Sequence, residues 1–77
     1  MKGLTRFILE SNSRLLYREY AKKIKQIKDP IIRKDVYKQV RDGYEQSKGL
    51  SDDALKYRLG TERQNLKFLD EMIMFSQ

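Results

Sequence analysis

The segment Lys28-Asp29-Pro30-Ile31-Ile32 divides this chain and decides how its helices are arranged. An aspartate followed by proline is typical of an N-cap and a first helical residue, because proline lacks the N–H that the first turn leaves unpaired. A second boundary is expected at 49–53, where Gly49 ends one helix and Ser51 caps the next. The sequence therefore predicts helices over about 11–28, 30–48 and 52–75.

The apolar residues of each predicted helix recur with the helical period of 3.6 residues, so each helix is expected to bury one face. The predicted buried residues are Leu9, Leu16, Tyr20, Ile24 and Ile27, then Ile32, Val36, Val40 and Tyr44, then Leu55, Leu59, Leu66, Leu69 and Ile73. Short connections favour antiparallel neighbours. The predicted fold is all-α, an up-down-up three-helix bundle in a single domain over 1–77. Residues 1–10 are expected either to extend the first helix or to form an apolar arm.

The composition argues against an enzyme. The 77 residues include no cysteine and no histidine, which removes disulfides, thiolate metal ligands and the commonest general base. The sequence has no phosphate-binding glycine loop and no nucleophile–base pair. No catalytic residue and no metal site are therefore predicted. No run of residues approaches the ~18 apolar residues that a membrane span needs.

The positive charge is concentrated in the first two thirds of the chain. The net charge is +6 overall, from 13 basic and 6 acidic residues in 1–48 (+7) and from 4 and 5 in 49–77 (−1). Lysines and arginines lie opposite the predicted core on the first two helices. This pattern favours an anionic partner. A basic nucleic-acid-binding module, with Tyr17 and Tyr37 near the charges, is an alternative of another class, although no nucleic-acid-reading motif supports it.

Three short elements carry a resemblance to a known family. They are the tripeptide Leu16-Tyr17-Arg18, the segment 41–44 (Arg-Asp-Gly-Tyr) with Lys48 four residues later, and the segment 66–69 (Leu-Lys-Phe-Leu). Their order and spacing resemble the LYR-motif (complex I LYR-like) family of small mitochondrial adaptor proteins. Two positions depart from the family pattern, because Tyr44 stands where phenylalanine is usual and Glu45 where arginine is common.

The resemblance implies a partner and a binding mode. LYR proteins bind mitochondrial acyl carrier protein, whose acyl-4′-phosphopantetheine threads its alkyl chain between the helices of the adaptor, so the adaptor needs no cofactor of its own. Docking residues carried over by motif match are Arg18, Arg41 and Lys48, and the basic stripes add Lys34 and Lys38. The expected acyl tunnel is lined by Leu16, Tyr20, Val36, Val40, Tyr44, Leu59 and Leu66.

The resemblance also implies a host assembly. The expected role is an accessory or assembly factor of the large subunit of the mitochondrial ribosome or of a respiratory complex, in the matrix or on the matrix face of the inner membrane. An adaptor of the cysteine desulfurase in iron–sulfur cluster biogenesis is the alternative within the family. A row of side chains on the far side of the third helix is a candidate host interface: Tyr57, Phe68, Met72 and Phe75. Burial of this row by the N-terminal segment is the other interpretation.

Overall fold

The computed structural model describes residues 2–75 and contains three α-helices. These are α1 (Lys2–Ile24), α2 (Pro30–Ser47) and α3 (Asp52–Phe75). The predicted all-helical three-helix bundle is confirmed. Helix α1 packs against both other helices, whereas α2 and α3 make much less contact with each other. The bundle measures 46 × 19 × 15 Å and is open along the side between α2 and α3.

The first helix begins nine residues earlier than the predicted residue 11. Residues 2–10 continue α1, so the interpretation of this segment as a separate arm is wrong. Leu9 is buried in the core, and the side chain of Arg6 contacts Glu10 one turn away, with 3.0 Å between Nε and Oε1. The favourable i,i+4 pair and the buried leucine stabilise the helix through the serine and asparagine residues where its start was expected.

The first helix also ends earlier than predicted, at Ile24 rather than near Lys28. After Ile24 the backbone changes to i→i−3 hydrogen bonds, from Gln26 N–H to the Lys23 carbonyl and from Ile27 N–H to the Ile24 carbonyl, each 3.0 Å. Asp29 is extended, with φ −74° and ψ 117°, because a residue before proline avoids the helical region. The helix therefore unwinds over one turn before the boundary.

The predicted caps of the other two helices are confirmed. The carboxylate of Asp29 accepts a hydrogen bond from Ile31 N–H at 2.9 Å, and the hydroxyl of Ser51 accepts one from Ala54 N–H at 3.3 Å. Gly49 does not act as the left-handed cap that was expected, because no glycine among residues 2–75 has a positive φ. The chain instead leaves α2 through successive i→i−3 hydrogen bonds.

The core lies along α1, where α1 meets α3. Leu55 is its most deeply buried side chain, 1% exposed, and the remaining core members are Leu9, Leu16, Tyr20, Ile24 and Leu59. Val36, Val40, Leu66, Leu69 and Ile27 pack against this cluster and are partly buried, and Ile73 is buried nearer the end of α3. The prediction for Ile32 is wrong: its side chain is 53% exposed, because the first turn of α2 extends past the core.

One arginine joins the first helix to the turn between α2 and α3. The guanidinium of Arg6 donates to the backbone carbonyls of Lys48 (3.0 Å) and Leu50, and it lies 3.4 Å from a carboxylate oxygen of Asp52. It thus supplies donors to the carbonyl of the residue that caps α2 and to a carbonyl of the turn that follows. Local sequence patterns do not indicate this contact, because it joins residues more than forty positions apart.

Candidate functional site

A cleft of about 320 Å³ lies between α2 and α3 and is bounded by side chains of all three helices. Five of the seven predicted tunnel residues line it: Leu16, Tyr20, Val40, Tyr44 and Leu59. The other two, Val36 and Leu66, pack against the core and do not line this cleft. The volume is near the lower end of the roughly 300–1,000 Å³ typical of ligand pockets.

A hydrogen bond between α1 and α3 fixes one wall of the cleft. The phenolic hydroxyl of Tyr20 donates to the backbone carbonyl of Glu62 and lies 3.2 Å from a carboxylate oxygen of the same residue. Burial raises the pKa of Tyr20 well above its usual range, and the negative charge of Glu62 acts in the same direction. Tyr20 is therefore a neutral donor at physiological pH, and its hydroxyl is the hydrogen-bond partner of Glu62.

The tyrosine of the Leu16-Tyr17-Arg18 tripeptide connects α1 with α2. Its ring centroid lies 4.9 Å from that of Tyr44, at an interplanar angle of 35°, and its hydroxyl donates to that of Tyr37 at 3.2 Å. The hydrogen bond to Tyr37 and partial burial raise the pKa of Tyr17, so the Tyr17 hydroxyl remains protonated and continues to donate to Tyr37. Tyr17 and Tyr44 thus form one aromatic contact between α1 and α2.

The tripeptide itself lies in the second half of α1, because α1 begins at Lys2 and not near residue 11. Leu16 is buried, Tyr17 is half-buried and Arg18 is exposed, so its three side chains face the core, α2 and solvent in turn.

The five predicted docking residues are all exposed: Arg18, Lys34, Lys38, Arg41 and Lys48. The Nζ atom of Lys48 lies 5.2 Å from the ring centroid of Tyr44 and 3.3 Å from a carboxylate oxygen of Glu45. Arg41 is close enough to Tyr17 to act on its hydroxyl electrostatically. Glu45 therefore offsets part of the charge of Lys48.

Sequence reasoning missed Arg58, a half-buried residue of α3 that lines the cleft. Its Nη2 atom would lie 3.1 Å from a Cβ placed at Gly43 on α2. The close neighbour of Gly43 is therefore an arginine side chain. Arg58 lies three residues after Leu55, and residues three apart share one face of a helix. This spacing could have located Arg58 beside the buried face.

The aromatic row on α3 is exposed. Tyr57, Phe68, Met72 and Phe75 are 80%, 56%, 67% and 90% exposed. The interpretation that residues 2–10 bury this row is wrong, because that segment is part of α1 and its Phe7 is itself 62% exposed. The row is therefore free to contact another molecule.

Over residues 2–75, no group of three or more acidic side chains has an arrangement that could hold a metal ion. None of the three helices, within the same range, combines the length and the apolar character that a membrane span requires.

Comparisons of the chain with known protein families, with curated proteins and with solved structures found no match.

Proposed function

We propose that this chain is a non-enzymatic mitochondrial adaptor of the LYR type, which binds acylated acyl carrier protein and attaches it to a larger assembly. The observation that carries the proposal is the cleft between α2 and α3, which is bordered by Leu16 and Tyr17 of the tripeptide. The motif resemblance supplies the identity of the partner, and the cleft supplies a place for its alkyl chain.

The size of the cleft and of the core supports an alkyl guest. A volume of about 320 Å³ is twice that of the roughly 150 Å³ cavity that accommodates benzene in another protein, which suggests an alkyl chain of roughly ten to twelve carbons. Each buried methylene contributes about 0.8 kcal/mol, so ten would contribute ~8 kcal/mol before the costs of binding. That gain is comparable to the total stability of a domain of this size, about 4–12 kcal/mol.

The exposed cations support docking of an acidic carrier. Arg41 lies on α2 and Lys48 directly follows the last residue of α2, and both are near the aromatic contact that borders the cleft. Arg18 lies two residues after the buried leucine of the tripeptide. Positive groups arranged around a binding cleft increase the association rate of an acidic partner and select against basic ones. In this proposal the carrier supplies the 4′-phosphopantetheine, and Lys34 and Lys38 extend the docking surface along α2.

The exposed aromatic row supports a second interface on the opposite side of α3. Aromatic side chains and methionine are enriched in the centres of protein interfaces. We assign this row to the host assembly, either the large subunit of the mitochondrial ribosome or a respiratory complex. The cysteine desulfurase is the alternative host, and nucleic acid is not expected to be the primary partner.

The proposal is tested by reversing charge on the docking surface. The double variant Arg41→Glu with Lys48→Glu should weaken binding to acylated carrier protein by at least tenfold, because two attractive contacts become repulsive. Binding would be measured by isothermal titration calorimetry at two salt concentrations, and helix content by circular dichroism. The unacylated carrier should bind more weakly than the acylated one, because it lacks the alkyl guest.

A matched control separates a local effect from a change in net charge. Lys56→Glu with Lys67→Glu makes the same change in net charge on exposed positions of α3. This control should retain carrier binding. Equal weakening by both double variants, or unchanged binding by the first, would contradict the proposed docking surface. Equal affinity for acylated and unacylated carrier would contradict the acyl tunnel.

A further inference from the structure

The guanidinium of Arg58 has no charge partner in the part of the chain that the structure describes. The side chain is half-buried and lines the cleft, where no hydrogen bond or ion pair to another residue of 2–75 engages it. Glu62, one helical turn further along α3, is the ordinary i,i+4 partner of such an arginine. Its carboxylate instead faces the hydroxyl of Tyr20, at 3.2 Å.

The glycine opposite Arg58 makes room for this arrangement. A Cβ at position 43 would lie 3.1 Å from Nη2 of Arg58, which is closer than ordinary van der Waals contact. Gly43 is inside α2, where glycine lowers helix stability relative to alanine. The small residue therefore allows the guanidinium to remain beside α2 at the edge of an apolar cleft.

We propose that the cleft binds a free medium-chain fatty carboxylate, with the carboxylate on Arg58 and the alkyl chain against Leu16, Val40 and Leu59. The binding requires no carrier protein, so it goes beyond the adaptor function and can be tested separately from it. The planar guanidinium matches the two oxygens of a carboxylate. Among the described residues that line the cleft, Arg58 is the single cation and Glu62 the single anion, which favours a monoanion over a doubly charged phosphate.

The first test compares three ten-carbon probes on the full chain, by calorimetry or by amide chemical shifts. Decanoate is expected to bind at least tenfold more tightly than decanol, because only the acid forms a charge-assisted hydrogen bond with Arg58. Decyl phosphate is expected to bind more weakly than decanoate, because its second charge faces Glu62. Equal affinity of decanoate and decanol, or tighter binding of decyl phosphate, would overturn the proposal.

The second test uses variants with matched controls. Arg58→Gln should lower the affinity for decanoate about tenfold and leave that for decanol unchanged, whereas Arg63→Gln, exposed on the same helix, should change neither. Decanoate affinity that does not change in Arg58→Gln would overturn the assignment of the carboxylate site.

A pair of glycine variants separates binding from folding. Gly43→Ala and Gly60→Ala should both raise the urea midpoint, because alanine favours a helix and both glycines are helical. Only Gly43→Ala should weaken decanoate binding, because its new methyl group displaces the guanidinium of Arg58. At position 60, apart from the adjacent residues and the nearby backbone of α3 itself, no atom lies within 4 Å of an added Cβ. Equal decanoate affinity in the two variants would show that Gly43 does not hold Arg58 in place, and would overturn the proposed anion site.

Discussion

Replacing Leu55 by alanine should remove a large part of the stability of this bundle. Leu55 is 1% exposed and belongs to the core between α1 and α3. A buried leucine-to-alanine change costs about 2–5 kcal/mol, through lost burial and the cavity that remains. Because Leu55 also borders the cleft, the new space is open on one side, which places the expected loss near 2–3 kcal/mol.

The loss can be measured by urea unfolding, followed by circular dichroism. A domain of 77 residues has a total stability of about 4–12 kcal/mol, so the change would remove between a sixth and three quarters of it. With an m-value of about 1 kcal/mol/M, the midpoint should fall by roughly 2–3 M at unchanged slope. Leu15→Ala is the matched control, because Leu15 is 55% exposed, and it should shift stability by no more than about 0.5 kcal/mol. Equal midpoints for the two variants would refute the placement of the core.

Two further predictions concern Tyr20 and the aromatic row. The folded state raises the pKa of Tyr20 above its unfolded value of about 10, so the stabilisation is complete below pH ~10 and is lost as pH rises above that value. The free energy of unfolding of the wild type should therefore fall more steeply above pH ~10 than that of Tyr20→Phe. Parallel dependence of the two free energies on pH would contradict the buried neutral phenol. If the proposed function holds, Phe68→Ser with Phe75→Ser should preserve the urea midpoint and binding of the proposed carrier but abolish co-sedimentation with the proposed mitochondrial host, whereas the exposed control Phe7→Ser should retain it. Loss of carrier binding in the double variant would instead place these rings in the carrier interface.

The helix boundaries that sequence predicts well are those set by local chemistry. Asp29 before proline and Ser51 before two carboxylates each specify a cap through neighbours within three residues, and both caps are confirmed. The start of α1 depends instead on Leu9, which is buried against residues distant in sequence. Periodicity placed Ile32 on the buried face, but it cannot indicate that this turn extends beyond the end of the core.

Only part of the candidate site can be predicted from the sequence, for the same reason. The apolar period located Leu16, Tyr20, Val40 and Leu59, because residues that share a helical face share an environment. The period does not indicate how far apart the helices lie. This distance places Leu66 against the core and outside the cleft. Arg58 was missed because a charged residue beside a buried face is ordinarily solvated, and only the separation of α2 from α3 turns it toward a cleft.

The contacts of Arg6 have a consequence for the order in which the chain assembles during synthesis. Its two acceptor carbonyls, on Lys48 and Leu50, lie 42 and 44 positions later in the chain. A translating ribosome therefore synthesises the N-terminal half of α1 long before these two carbonyls exist. Until they are synthesised, this half of the helix lacks the contacts that Arg6 makes with the turn between α2 and α3. We expect residues 3–8 to be the last part of the bundle to become protected from amide exchange and the first to open again.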